Sequence, residues 1–421
     1  MNLVLLLVSL LVVSWLASRL YRNQAPDLKP YFLPSLGLKI ASGMAVGILY
    51  FYHYGAGDTI SYWQDGVKIS EFMKTAPGDA IALFWDETGN HDFVNSLAQK
   101  APRSLFFSKI CGLIAFAAGD NYWAMAGIFS FVSFLGAWFL FRRVVTHFPN
   151  HKKAAAIAFL FFPSVVFWSS GIIKESLGLA ALYFLLALCI SFLFGRNPSW
   201  KEWILALISL WIGWNLKYYW LGIFLPVAFT TLMVAILKRS KATIARWELT
   251  VWTGLFIVFL FVGTSIHPNF YPSRFLEVIV QSNLEFNRLS EPPRIVQYLN
   301  LEPSVASLVK NAPAGLIAGL FRPFLWEAYN PLSVMAGLEN LILLLMVLIA
   351  LPAIRKLGSG YLRMPALAAL VYVVLLAGFL ALSTPNFGTL SRYKIGVVPV
   401  LVFLCLCGST TLNRWLGDKR K

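Results

Sequence analysis

Apolar stretches recur along this chain at close to the length of a bilayer-crossing helix, and that repetition limits the fold more than any other feature. They fall at 2–20, 36–54, 122–141, 154–171, 175–195, 203–216, 219–237, 248–266, 333–353, 365–383 and 395–413. About 20 apolar residues are needed to cross the hydrocarbon core as a helix. A twelfth stretch, 104–118, is shorter and has Lys109 inside it, so it is read as lying in the interface. The runs are continuous and do not alternate, which disfavours a β-barrel. Only 13% of the 421 residues are charged and 58% are hydrophobic, where a soluble domain carries roughly 25% charged residues. The expected fold is an all-α polytopic transmembrane bundle of about 11–12 spans, forming one membrane domain over 1–421.

The formal net charge of +16 would suit a nucleic-acid binder, but most Lys and Arg residues flank apolar runs, where they fix topology. Basic connections follow the spans at Arg19/Arg22/Lys29, Arg142/Arg143/Lys152/Lys153, Arg196/Lys201, Lys238/Arg239/Lys241/Arg246, Arg355/Lys356/Arg363 and Arg414/Lys419/Arg420/Lys421. With 104–118 not crossing, all six lie on one side. That places the N-terminus outside and the C-terminus in the cytoplasm of a bacterial inner membrane. The first segment has no basic stretch before its apolar run and is read as a retained span. Four cysteines in apolar segments and five scattered histidines form no metal-ligand or disulfide pattern. No metal and no cofactor are expected.

Two connections on the outer side are long, 55–103 and 267–313, and both are expected to hold short amphipathic helices. The remaining outer connections are tight, and they carry cations among aromatics: Lys174, Lys217, Arg322, Arg392 and Lys394. Charge there works against the orientation rule unless it is paired or functional. Gathered at one level, these side chains would hold a phosphate or pyrophosphate head group through charge-assisted hydrogen bonds. The blander reading is that each pairs locally, Lys174 with Glu175 for example, or snorkels to the interface.

Carboxylates on the same side supply candidate general bases. Asp58 directly follows Gly55–Ala56–Gly57 at the end of a span. Asp65 lies two helical turns further on, with Tyr62 between them on the same face. Asp86 and Glu87 come later in that loop, and Glu327 follows Arg322. Tyr62, Glu175, Glu327 and Tyr393 are candidate substrate contacts. Most other aromatics at this level read as an interfacial belt.

Four motifs carry a resemblance: GAGDTISYW, FFPSVVFWSSGIIKES, NLKYY and TLSRYKIGVVP. In this layout the chain resembles the GT-C-type integral membrane glycosyltransferases and their exopolysaccharide-polymerase-like relatives. The resemblance implies a polyprenyl-phosphate sugar donor in the outer leaflet. It also implies an acid of the first outer loop, Asp58, that acts as base or orients the acceptor, and Lys174, Lys217, Arg392 and Arg322 as phosphate ligands. The chain departs from that layout in an extra N-terminal span, and its adjacent acid pair, Asp86–Glu87, lies well downstream of the loop's start. Expected partners are a lipid-linked sugar, membrane lipid and glycan-assembly proteins, with no nucleic acid. A polysaccharide polymerase or ligase would share the donor. A non-enzymatic transporter of lipid or polysaccharide is the third class, and it calls for charge inside the spans, which the sequence places at one face instead.

Overall fold

The structure, a computed structural model, describes residues 3–86, 89, 91–240, 246–266, 271–354 and 363–417. Glu87, Lys241, Arg355, Lys356 and the basic tail 419–421, named above, lie outside the described residues. The described residues are helical between their loops, with one isolated antiparallel bridge, Ile295 to Asn386. The all-α expectation therefore holds. The helices divide between two compact units that interleave along the chain.

The first unit takes residues 1–142, 165–187 and 199–218. It opens with α1 (Leu3–Arg22) and α2 (Lys29–Ile48), which a π-helical turn extends to Tyr54. Next come α3 (Asp58–Thr75), α4 (Pro77–Trp85), α5 (Pro102–Ala118) and α6 (Tyr122–His147), the last running on past the unit's edge at Arg142. Its core joins α3, α5 and α6 to a later helix start through Tyr62, Phe107, Cys111, Met125, Phe129 and Ile172. A second cluster, Ile69, Leu83, Val94, Leu97 and Leu105, seats α4 and the following loop on α3. None of the apolar window of α1 is buried.

The second unit takes residues 143–164, 188–198 and 219–421. A short α7 (Lys152–Ala156) begins there, and α8 (Pro163–Phe167) and α9 (Lys174–Leu193) each run across the boundary between units. So does α10 (Trp200–Ser240). After it come α11 (Glu248–Ile266), α12 (Pro272–Leu289), α13 (Val305–Phe321), α14 (Pro331–Ile354) and α15 (Arg363–Ser383). The chain ends in α16 (Phe387–Tyr393), α17 (Val398–Gly408) and α18 (Thr410–Trp415). The α12 helix is the amphipathic element expected in the second long loop. It buries Ile279, Val280 and Asn283, and Asn283 donates to the Leu382 carbonyl of α15 at 2.7 Å.

Among the described residues eight helices are long and apolar enough to cross a membrane, and a bent pair, Phe387–Gly396 with Val398–Gly408, makes nine. The difference from the eleven expected arises at three places. Segments 203–216 and 219–237 belong to one helix, α10, broken where Lys217 takes φ −142° and ψ 54°. A straight helix of that length would run to about 60 Å, twice the hydrocarbon thickness of about 30 Å, so each arm matches one crossing. Segment 154–171 is interrupted at Phe162, whose ψ of 122° is extended. Pro163 pushes its predecessor out of the helical region and offers no amide hydrogen. Segment 395–413 bends by 60° ahead of α17, which carries Pro399 in its first turn. The expected loop also hid α13, which begins at Val305 inside it.

The α13 and α15 helices meet at Gly319. A Cβ there would lie 2.1 Å from the Ala377 carbonyl oxygen, which is backbone and cannot swing aside. Gly319→Ala is therefore expected to cost about 1–3 kcal/mol by overpacking. Thermal unfolding in detergent should show a lowered midpoint for Gly319→Ala and none for Gly254→Ala, where a Cβ meets nothing within 4 Å.

Candidate functional site

The end of α2 sets up the first cluster. Gly55 has φ 68° and Gly57 φ 134°, values open to glycine, and the chain then turns into α3 with Asp58 in its first turn. A carboxylate at that position is favoured by the helix dipole by about 0.3–1 kcal/mol. Asp58 is partly exposed, whereas its neighbour Thr59 is buried and shares a 2.7 Å hydrogen bond with the Tyr122 hydroxyl. One turn after Asp58, Tyr62 is buried, and its hydroxyl donates to Ser104 Oγ of α5 at 3.2 Å. Lys174, the first residue of α9, donates to the same Ser104 Oγ at 3.2 Å. Its ammonium stands 5.6 Å from the centre of the Tyr62 ring. A serine oxygen has two lone pairs. With both engaged, its own proton is left as a donor. Three helices thus bring a cation and two hydroxyls together on the face of α3 that Asp58 begins.

The other candidates in this unit are engaged by nearby groups of the fold. Glu175 and Lys217 form an ion pair at 2.6 Å, with relative exposures of 0% and 2%. The sequence offered Lys217 as a phosphate ligand and paired Lys174 with Glu175 in the blander reading. The structure gives Glu175 to Lys217 and seats that lysine at the break in α10. Asp65 is fully buried. Its Oδ1 accepts from the Ala98 amide at 2.8 Å, and its Oδ2 accepts from the Gln99 amide at 2.9 Å and from Ser108 Oγ at 3.2 Å. It ties the loop before α5 to α3. Asp86 accepts from the amides of Gly89 and His91 at 3.0 and 2.8 Å, while its carbonyl accepts from Lys109 Nζ at 2.6 Å.

A further charge escaped the sequence reading. Lys39 lies inside the long apolar helix Lys29–Tyr54 at 5% exposure and donates to Ser169 Oγ. Ser169 sits in the non-helical stretch between α8 and α9, where Gly171, with φ 79°, approaches the Gly43 carbonyl. The signal was available as a lone lysine in the run LGLKIASGM, masked by its apolar surroundings. Lys39 is a charge inside a span, a correction to the expectation that charge gathers at one face.

The second unit holds its own polar group. Arg322 grips Glu327 with both Nε, at 3.0 Å to Oε2, and Nη2. Glu327 Oε2 also accepts the Phe324 amide at 2.8 Å. The Arg322 guanidinium stands 4.9 Å from the centre of the Phe387 ring. The Pro323 carbonyl accepts from Asn340 Nδ2 at 2.8 Å, and Lys394, almost wholly buried, donates to Asn340 Oδ1. Two predicted cations, Arg322 and Lys394, are thereby linked through Pro323 and Asn340. Arg392 is buried on α16, and the Tyr393 ring lies 5.9 Å from Tyr219. Tyr298 lies beside Arg322. Burial pushes its phenol above the usual range, against the opposing pull of that guanidinium.

Among the described residues no three His, Cys, Asp or Glu side chains are grouped to hold a metal ion. What the first cluster offers chemically is a cation and hydroxyl donors for an anionic oxygen, with an acid one turn away. No family model matches the chain, and no curated protein or solved structure matches it.

Proposed function

We propose that this multi-pass membrane protein is a glycosyltransferase that takes its sugar from a polyprenyl-phosphate carrier in the outer leaflet of a bacterial inner membrane. Its acceptor is a glycan, lipid or protein of the cell envelope. The observation that carries this reading is the meeting of Lys174, Ser104 and Tyr62 one turn from Asp58. In the reaction the acceptor hydroxyl oxygen bonds to the anomeric carbon as the bond from that carbon to the phosphate oxygen breaks. The electron pair leaves with the phosphate. Lys174 and the Ser104 hydroxyl stabilise the growing negative charge, which fixed donors at a low-dielectric rim do well. Asp58 takes the proton from the attacking hydroxyl. Lys217 and Asp65 leave the reacting set in this assignment. The first supports Glu175, and the second supports the loop before α5. Arg322, Arg392 and Lys394 lie in the second unit and are left out of this assignment. A polymerase or ligase acting on a lipid pyrophosphate would use the same chemistry with a longer acceptor.

One observation favours a second reading. Lys39, buried inside α2, is the kind of internal charge that transporters use. The two readings separate in vesicles carrying the purified protein and polyprenyl-phosphate sugars on defined leaflets. Transfer to added glycan acceptor, lowered about 10²–10³-fold by Lys174→Ala and partly restored by Lys174→Arg, supports the enzyme. Movement of the lipid-linked sugar between leaflets with no transfer supports the transporter and overturns the enzyme.

A further inference from the structure

Beside the Asp58 turn, a cleft of about 430 Å³ opens between the end of α2, the start of α3 and the start of α6. Its walls are Phe51, Tyr52, Trp63, Tyr122 and Trp123, with Asp120 among them. The volume falls within the range of small-ligand sites. Tyr122 is the hub: Phe51, Trp63 and Trp123 meet it at interplanar angles of 89°, 86° and 83°. Trp63 Nε1 donates to the Asp120 backbone carbonyl at 2.9 Å, which fixes the acid against the rings. Asp120 Oδ1 is closed off from solvent, so Oδ2 is the carboxylate oxygen left to meet a ligand in the cleft.

We infer that this cleft is a sugar-binding subsite, in which a pyranose lays its C–H face on the Trp123 and Tyr52 rings and donates a hydroxyl to Asp120. Each feature demands a property of the ligand. The rings demand an apolar face, and the carboxylate demands a donor. A pyranose carries both on one rigid body. A quaternary ammonium would prefer a box of ring faces turned inward, whereas these rings meet edge to face around Tyr122. Tyr52 and Trp123 keep 80% and 36% of their surface exposed, so a ligand can reach them. The inference rests on the sugar-transfer reading for its choice of ligand, and places a sugar beside the proposed base.

The test needs no transfer and no lipid donor, so the two claims fail separately. The full-length protein in nanodiscs is titrated with methyl glycosides of glucose, galactose, mannose and N-acetylglucosamine. Binding is read by saturation-transfer NMR and tryptophan quenching. At least one glycoside should bind in the millimolar range. Asp120→Asn should weaken it about tenfold or more, the loss of a hydrogen bond to a charged group. Trp123→Ala, at a partly exposed ring, provides a second variant with the same expected direction. Absence of glycoside binding overturns the subsite, as does binding equal in wild type and both variants, or displacement of the glycoside by tetramethylammonium. Glycoside binding without any transfer in the vesicle assay keeps the subsite and removes the enzyme.

Discussion

Glu175→Ala is expected to destabilise the first unit by about 3–5 kcal/mol, the cost of stranding a buried lysine without its carboxylate. Lys217 retains 2% exposure and its ammonium lies 2.6 Å from Glu175. It also sits where α10 leaves helical geometry. Thermal unfolding followed by tryptophan fluorescence in detergent should show a large fall in midpoint, with lower yield of folded protein. The paired variant Glu175→Leu with Lys217→Met should recover most of that loss, because an ion pair replaced by packed apolar side chains is often neutral or better. A single Glu175→Ala variant as stable as wild type would mean that water reaches the pair. A stable but inactive double variant would assign the pair to function instead of folding.

Asp58→Asn is expected to lower glycosyl transfer by about 10²–10⁴-fold, the range for loss of a positioned general base. Stability should barely change. The carboxylate is partly exposed, and its dipole contribution at the start of α3 is only about 0.3–1 kcal/mol. Asparagine also remains a good residue at a helix start. Because the base acts in the chemical step, kcat should fall while KM stays close to wild type. Transfer by Asp58→Asn at the wild-type rate would remove Asp58 from the mechanism.

Much of this architecture could be read from hydrophobic runs, because the bilayer enforces helix length. Alternatives to helix are excluded where backbone groups cannot reach water. The residues that misled are ones with two physical uses. Pro163 and Pro399 sit in runs apolar enough to read as spans, yet a proline removes a hydrogen-bond donor and bends or ends the helix there. Lys217 lies in what the sequence offers as a tight connection, and its partner Glu175 is 42 positions earlier. Ion pairing over that separation depends on packing, which spacing alone does not encode. Asp65 and Asp58 look alike in the sequence, seven residues apart on one helix face. Only the loop at Ala98 and Gln99, folding back onto α3, distinguishes them. Asp120 drew no notice because its setting is defined by rings from three separate segments.

The bare flank of α1 has a consequence of its own. A helix that buries none of its apolar window within its own protein is specified mostly by lipid. Its letters can be exchanged freely within the greasy alphabet, so long as the total transfer free energy still carries it into the bilayer. Such a segment is a mooring written in composition, and unrelated sequences would serve it equally well.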